Sequence, residues 1–208
     1  MADWSTTASL ATAGGTLVLA VATFASTRSA NRAARVAETA MQAGLRPLLL
    51  ASRLQDPPEK VMWMDEHYAR VLGGQGVLEE IDGVIYLAAG LRNVGAGVAV
   101  LDAWHVFPFV DMATPPTPVD EFRRLTRDLY IAPGDFGFWQ GAIRDPDDPD
   151  RQALSQAIAA RSRMMVDLLY GDFEGGQRTI SRVALTWRAD TLLAATSRHW
   201  NVDRTNPR

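Results

Sequence analysis

Between Trp4 and Thr27 the chain carries no charged residue, a run of 24 positions reading WSTTASLATAGGTLVLAVATFAST. At 1.5 Å per residue a helix of that length rises about 36 Å, enough to cross a hydrocarbon core of about 30 Å. A helix packed in a protein core shows a polar face, and this run has no charge on any face. It therefore predicts a transmembrane helix over 4–27 rather than a core helix. Insertion is only weakly favourable. Leu10, Leu17, Val18, Leu19, Val21 and Phe24 are the strongly apolar residues. At roughly −0.3 to −0.6 kcal/mol each they total about −2 to −4 kcal/mol, before Ser, Thr and Gly subtract.

The flanks set an orientation. Met1-Ala2-Asp3 precedes the run without a positive charge, unlike the leading segment of a cleaved signal peptide. Arg28, Arg32, Arg35 and Arg46 follow it, which predicts a single-pass cell-membrane protein with its N-terminus outside and its C-terminal domain cytoplasmic. Ala8, Thr12, Thr16 and Ala20, with Ala11 and Gly15 beside them, give one face small side chains on which a second helix could pack, a route to a homo-oligomer. From 28 to 45 the arginines recur on one face and Ala30, Ala34, Ala37, Met41 and Leu45 on another, an amphipathic juxtamembrane helix whose cations meet anionic headgroups. Gly44 and Pro47 end it.

After Pro47 the period shifts from 3.6 to short β-prone runs between Gly, Pro and Asp clusters, so residues 46–208 are expected to form a β-sandwich domain. Strands are predicted at 48–54, 83–92, 97–107, 128–131, 136–142, 164–171, 178–188 and 193–201. The alternation in 179–188 slips once, which predicts a β-bulge near Arg182–Val183. A helix is predicted over 65–72, ending at Gly73-Gly74. A second runs from Pro149 to Arg163 with Asp148 as N-cap, and a short helical turn covers 119–127.

Arg46-Pro47, Leu91-Arg92-Asn93-Val94-Gly95-Ala96-Gly97-Val98-Ala99 and Tyr170-Gly171-Asp172-Phe173-Glu174-Gly175 lie behind the uncharged and arginine-bearing helices. Together they resemble the single-pass membrane proteins of actinobacteria that carry an immunoglobulin-like β-sandwich with an Arg-Pro strand start, an Asn-x-Gly-x-Gly-x-Ala turn and a Tyr-x-Asp-x-x-Gly hairpin. The resemblance spans most of the chain. It implies a mainly β fold, an N-terminal transmembrane and juxtamembrane helix and a helical insertion, and it assigns no functional residue. The chain departs from the pattern at Val98, where proline is usual, and in its long insertion, 145–163.

The chemistry-bearing residues do not form a recognised motif. With no cysteine there is no disulfide framework, thiolate metal site or cysteine nucleophile. A formal net charge of −3 supplies no basic field for nucleic acid. Lys60 is the only lysine among 21 basic residues, a bias that reads as GC-rich coding. Gly95-Ala96-Gly97 follows a strand but is followed by another, which reads as a turn and not a dinucleotide loop. Asp145, Asp147, Asp148 and Asp150 crowd one loop but lack the calcium-loop Gly and Glu, so they read as a solvated helix cap. His67, His105 and His199 are scattered. Asp65, Glu66 and His67 are consecutive and cannot converge on one ion from a helix. Arg123, Arg124 and Arg127 are matched by Asp120, Glu121 and Asp128, which reads as local ion pairing with phosphate binding the lesser reading.

No catalytic residue, cofactor ligand or metal ligand is assigned. The sequence favours a membrane-anchored binding or scaffolding module that meets a protein partner at the cytoplasmic face, its other partner being the bilayer. Two readings stand beside it. One is a small-ligand receptor or enzyme with a site built from loops 145–150 and 123–127, and the other an accessory subunit of a membrane complex.

Overall fold

The computed structural model describes residues 4–109, 111 and 113–203, with the side chains of 4–11, 42 and 43 outside that description. The chain is mainly β behind an N-terminal helix and divides into two units, Met1–Gly44 and Leu45–Arg208.

The first unit is one helix, α1, Trp4–Gly44. The helix runs without a break through the two stretches expected as a span over 4–27 and an amphipathic helix over 28–45: residues 28–43 contain neither Gly nor Pro and are rich in Ala and Arg, so nothing breaks the ladder. The transmembrane expectation is not supported, because among the described residues no helix is long and apolar enough to cross a membrane. Asp3, and the side chains of Ala8, Leu10 and Ala11 on which that expectation also drew, lie outside the described residues.

The second unit is a sandwich. One sheet is built on Val84–Asn93 (β5), which pairs with Leu49–Ala51 (β1) and Gly76–Ile81 (β4) along one side and Phe136–Ile143 (β8) along the other. The other runs in the order Thr191–Asn201 (β11), Arg178–Arg188 (β10), Met164–Asp172 (β9), Ala99–Phe107 (β6) and Arg123–Ile131 (β7), all antiparallel. Leu87, Leu91, Trp104, Trp139, Leu168 and Leu185 fill the space between them. Both β5 and β9 are buried along almost their whole length, because both faces of their sheets are covered.

The covers are what the sequence did not disclose. Outside the first sheet, Glu59–Met62 (β2) and Tyr68–Val71 (β3) form a hairpin that packs Val61, Trp63 and Val71 onto Tyr86 and Ala88. The helix expected over 65–72 is therefore absent. Glu66 takes φ 64°, which no right-handed helix allows, and the burial of β3 alternates with period two. The short turn expected over 119–127 is likewise a single 3₁₀ turn, Val119–Glu121, after which the chain is already strand. The inserted helix α2 spans Arg151–Ala159, shorter than expected, with Asp150 at its N-cap position and Arg161 at φ 49° beyond its end. Asp148 lies ahead of the helix but makes the bond expected of it, its Oδ1 accepting the Asp150 N–H two residues on at 2.9 Å, and the Asp148 and Asp150 carboxylates are both held by Arg123. The bulge at Arg182/Val183 is present, with the extra residue, Ser197, on the neighbouring strand β11.

Outside the second sheet, Arg182 and Asp167 form an ion pair in which both side chains are fully buried. The guanidinium meets the carboxylate through two bonds, Nε to Oδ1 at 2.6 Å and Nη2 to Oδ2 at 2.7 Å, and donates to the carbonyls of Thr114 and Pro115. Thr117 gives both its N–H and its hydroxyl to the same carboxylate. Phe107 and Trp200 stack on the guanidinium with centroids at 5.0 and 4.8 Å. The pair thus straps the 114–117 segment over the sheet, and its charges are tolerated because every one has partners. Asp167→Ala leaves that cation buried without its counter-charge and should cost about 3–5 kcal/mol of unfolding free energy, measured by urea titration. A loss below 1 kcal/mol would contradict the strap.

Candidate functional site

The three motifs that carried the family resemblance meet where Leu45–Leu48 leads into β1. Asn93, fully buried at the end of β5, uses every hydrogen-bonding group it has. Its Oδ1 accepts from Leu48 N at 3.2 Å and Gly95 N at 3.0 Å, and its Nδ2 donates to Gly97 O at 2.7 Å and Ile131 O at 3.0 Å. Its own backbone N–H and carbonyl pair with Asp135 and Gly134. The two glycines of the turn are required by close approach. A Cβ on Gly95 would strike Arg46 O and Leu48 N, and one on Gly97 would strike Leu45 O. Arg46, next to the proline, sends Nε to Gln177 Oε1 at 2.8 Å and bonds Asn201 through Nη1.

The third motif supplies Tyr170, whose hydroxyl lies in the core and accepts the Leu49 N–H at 3.1 Å. Burial pushes this phenol above the ordinary tyrosine range. Tyr170 meets Ser181 Oγ at 2.8 Å, Ser181 donates to Leu49 O at 3.2 Å, and His199 Nδ1 stands 2.7 Å from the same hydroxyl. A serine beside a histidine invites a nucleophilic reading, and the proton order argues against it. Tyr170 receives from Leu49 and donates to Ser181, and Ser181 donates to Leu49, so the network closes when His199 carries its proton on Nδ1 and donates. In that state the ring is not a base toward Ser181, and Ser181 is fully buried. The cluster pins β1 to the opposite sheet. Burial depresses the His199 pKa.

The other residues singled out in the sequence are distributed as follows. The start of β7, 123–127, and the loop 145–150 do come together: Arg123 Nη2 lies 2.9 Å from Asp148 Oδ1 and 2.6 Å from Asp150 Oδ2, with its guanidinium over Trp104. Asp65 accepts from Tyr86 at 2.8 Å and from Arg144 at 2.9 and 3.2 Å. Although its burial acts to raise its pKa, those bonds hold the Asp65 carboxyl below the usual range. His67 packs on the Tyr86 ring at 4.1 Å and reaches Glu79 at 2.7 Å, apart from any second histidine. His105 faces Phe107 and Phe122. Among the described residues no group of three His, Cys, Asp or Glu is placed to hold a metal ion. Gly95-Ala96-Gly97 is the turn just described, between strands.

Sequence reasoning did not find the Arg182–Asp167 pair or the roles of Asn93 and Tyr170. The Asn-x-Gly-x-Gly spacing was the available signal for Asn93: two glycines flanking a polar residue at a strand end mark a close backbone approach. No protein-family model, curated protein or solved structure matches the chain.

Two outcomes follow for the clamp. Asn93→Ala orphans four backbone groups at about 1–3 kcal/mol each, so even with partial rehydration it should cost at least about 3 kcal/mol by chemical denaturation. Because the folded pKa of His199 lies below the unfolded value of about 6.5, the unfolded chain binds more protons as pH falls. Stability is therefore full above about pH 6.5 and declines below it toward the folded pKa. Denaturation at pH 7.5 and 5.5 should show that loss in the native sequence and a smaller one in His199→Gln. The Asp203 carboxyl, lowered by its hydrogen bond from Arg178, acts only below the usual carboxylate range.

Proposed function

We propose that this protein is a membrane-tethered binding module, with α1 as the tether and the sandwich as a cytoplasmic surface for a protein partner. The observation that carries the reading is the exposure of α1. Every described side chain from Thr12 to Met41 is exposed, including Leu17, Val18, Leu19, Val21 and Phe24. Apolar exposure on that scale marks a surface with an absent partner. The polar side chains of the run suit lipid as that partner. Thr16, Thr23 and Thr27 each donate their hydroxyl to the carbonyl four residues back at 2.8–2.9 Å, so their donors need no water. Arg28, Arg32 and Arg35 follow at headgroup depth, and the positive-inside bias supports the cytoplasmic placement.

Recognition rather than catalysis is supported by the closed state of the Ser181–His199 pair. The strand order supports the immunoglobulin-like reading: β1, β5 and β8 stand where strands A, B and E of that fold stand, and β10, β9, β6 and β7 where G, F, C and C′ stand. On this correspondence β2–β4 are an insertion between A and B, and β11 an added edge beyond G. Such a sandwich offers its loops and edges to other proteins.

Flotation of the full chain with phospholipid vesicles tests the tether. The native sequence should rise with the lipid, and Val18→Asp should stay below, since one buried carboxylate at about 2.5–3.5 kcal/mol cancels the whole insertion energy. In intact cells, protease added outside should leave the sandwich uncut. A native chain that stays at the bottom without detergent would refute the tether.

A further inference from the structure

The edge strands β7 and β8 belong to different sheets. Beside them Trp63, Trp104, Arg123, Arg124, Gln140 and Arg144 line a cavity of about 90 Å³ to which no aspartate or glutamate contributes. The bonds already made by these side chains decide what the cavity can hold. Arg123 spends Nη2 on Asp148 and Asp150, which leaves Nε and Nη1 without an acceptor among the described residues. Arg144 spends Nε and Nη2 on Asp65, which leaves Nη1. Gln140 is buried, with 5% of its surface exposed, and its Oε1 takes the Arg127 guanidinium at 3.4 Å. Its Nε2 has no acceptor among the described residues.

What remains unused is therefore donor in every case, on three side chains from two strands: Arg123 at the start of β7, Gln140 in β8 and Arg144 just beyond its end. The free amide donor is not sealed from solvent, and an oxygen-rich anion would take it together with both guanidinium groups. The carboxylates of Asp65, Asp148 and Asp150 do not line the cavity but anchor the guanidinium groups that do, so little ordering is left to bind a ligand. A phosphoryl group brings three oxygens and up to two negative charges to these donors, against two oxygens and one charge on a carboxylate.

We propose that this cleft binds a phosphoryl group, presented by free phosphate or a phosphomonoester or by a phospholipid headgroup. Full-length protein in detergent, followed by tryptophan emission because Trp63 and Trp104 line the cavity, is titrated with inorganic phosphate, with a short-chain phosphatidic acid, and with sodium chloride at matched ionic strength. Saturation by phosphate identifies a free ligand and saturation by the lipid alone a headgroup; either supports the cleft. Arg144→Gln should weaken binding at least tenfold, while Arg161→Gln, at an exposed pair with Asp190, should leave it unchanged. Gln140→Glu keeps an acceptor for Arg127 while adding a negative charge inside the cavity, and should abolish binding even if Arg144→Gln disturbs folding. Chloride matching phosphate, no saturation by either phosphate source, or saturation that survives both cleft variants would overturn the assignment.

Discussion

The carboxamide of Asn93 decides where the sandwich begins. It supplies two acceptor and two donor positions to four backbone groups that would otherwise face an apolar interior. The first places Leu48 beside β5 and sets the Leu49↔Asn93 register. Once that register is fixed, Leu49 presents its N–H and carbonyl to Tyr170 and Ser181 of the opposite sheet, and Ala51 presents its N–H to Thr196 of β11 at 2.6 Å. A three-residue strand thus belongs to one sheet by its ladder and to the other by side chains. Closure of the sandwich along this side is a polar construction laid over the apolar core.

The opposite side is built differently. Between β7 and β8 no strand bridges the sheets, and the seam is managed by arginine side chains. Arginine suits both tasks because its fork can be held by one carboxylate and still present further donors, which an ammonium on a flexible stem does less well. The degree to which each guanidinium is satisfied separates structure from candidate site. At Arg182 the carboxylate, two carbonyls and two aromatic rings enclose the charge. At Arg123 and Arg144 the carboxylates hold only one edge of the fork. The first arrangement is finished as it stands, and the second leaves directed donors at a cavity wall.

Much of the strand content was legible because a strand buried on both faces still writes a dense apolar run, as in 83–92 and 164–171, while 178–188 shows itself by alternation. Residues 65–72 misled because Asp-Glu-His-Tyr-Ala-Arg-Val-Leu suits a helix locally. Packing of Val61, Trp63 and Val71 onto Tyr86 outweighs that preference, and it is a contact between segments distant in sequence. Arg182 was hidden for the opposite reason: in an alternating strand an arginine reads as the solvent face, and only the strap over 114–117 makes that face an interior. The arginines at 123–127 and the aspartates at 145–150 were each visible as charged clusters. That they pair with each other, and that the guanidinium groups keep donors to spare, is tertiary information. The Asn-x-Gly-x-Gly turn was legible as geometry, while its destination at Leu48 and Ile131 was not.

A helix with exposed side chains draws its stability from composition or surroundings, and the uncharged part of α1 does not have the composition. Relative to alanine, Gly14 and Gly15 cost about 1 kcal/mol each and Thr12, Thr16, Thr23 and Thr27 roughly half that or more, so these six residues alone make the segment about 4 kcal/mol poorer as an aqueous helix than a polyalanine of equal length. Apolar surroundings reverse the balance, because a backbone group that gives up its helical bond there finds no water to replace it. The hydroxyl donors of Thr16, Thr23 and Thr27 are turned back on their own carbonyls, so close packing of the small side chains, not hydroxyl bonding, is what a second helix would use. On the proposed tether, saturated hydroxyls beside exposed leucine and valine would meet lipid chains, and the arginines that begin at residue 28 would meet headgroups.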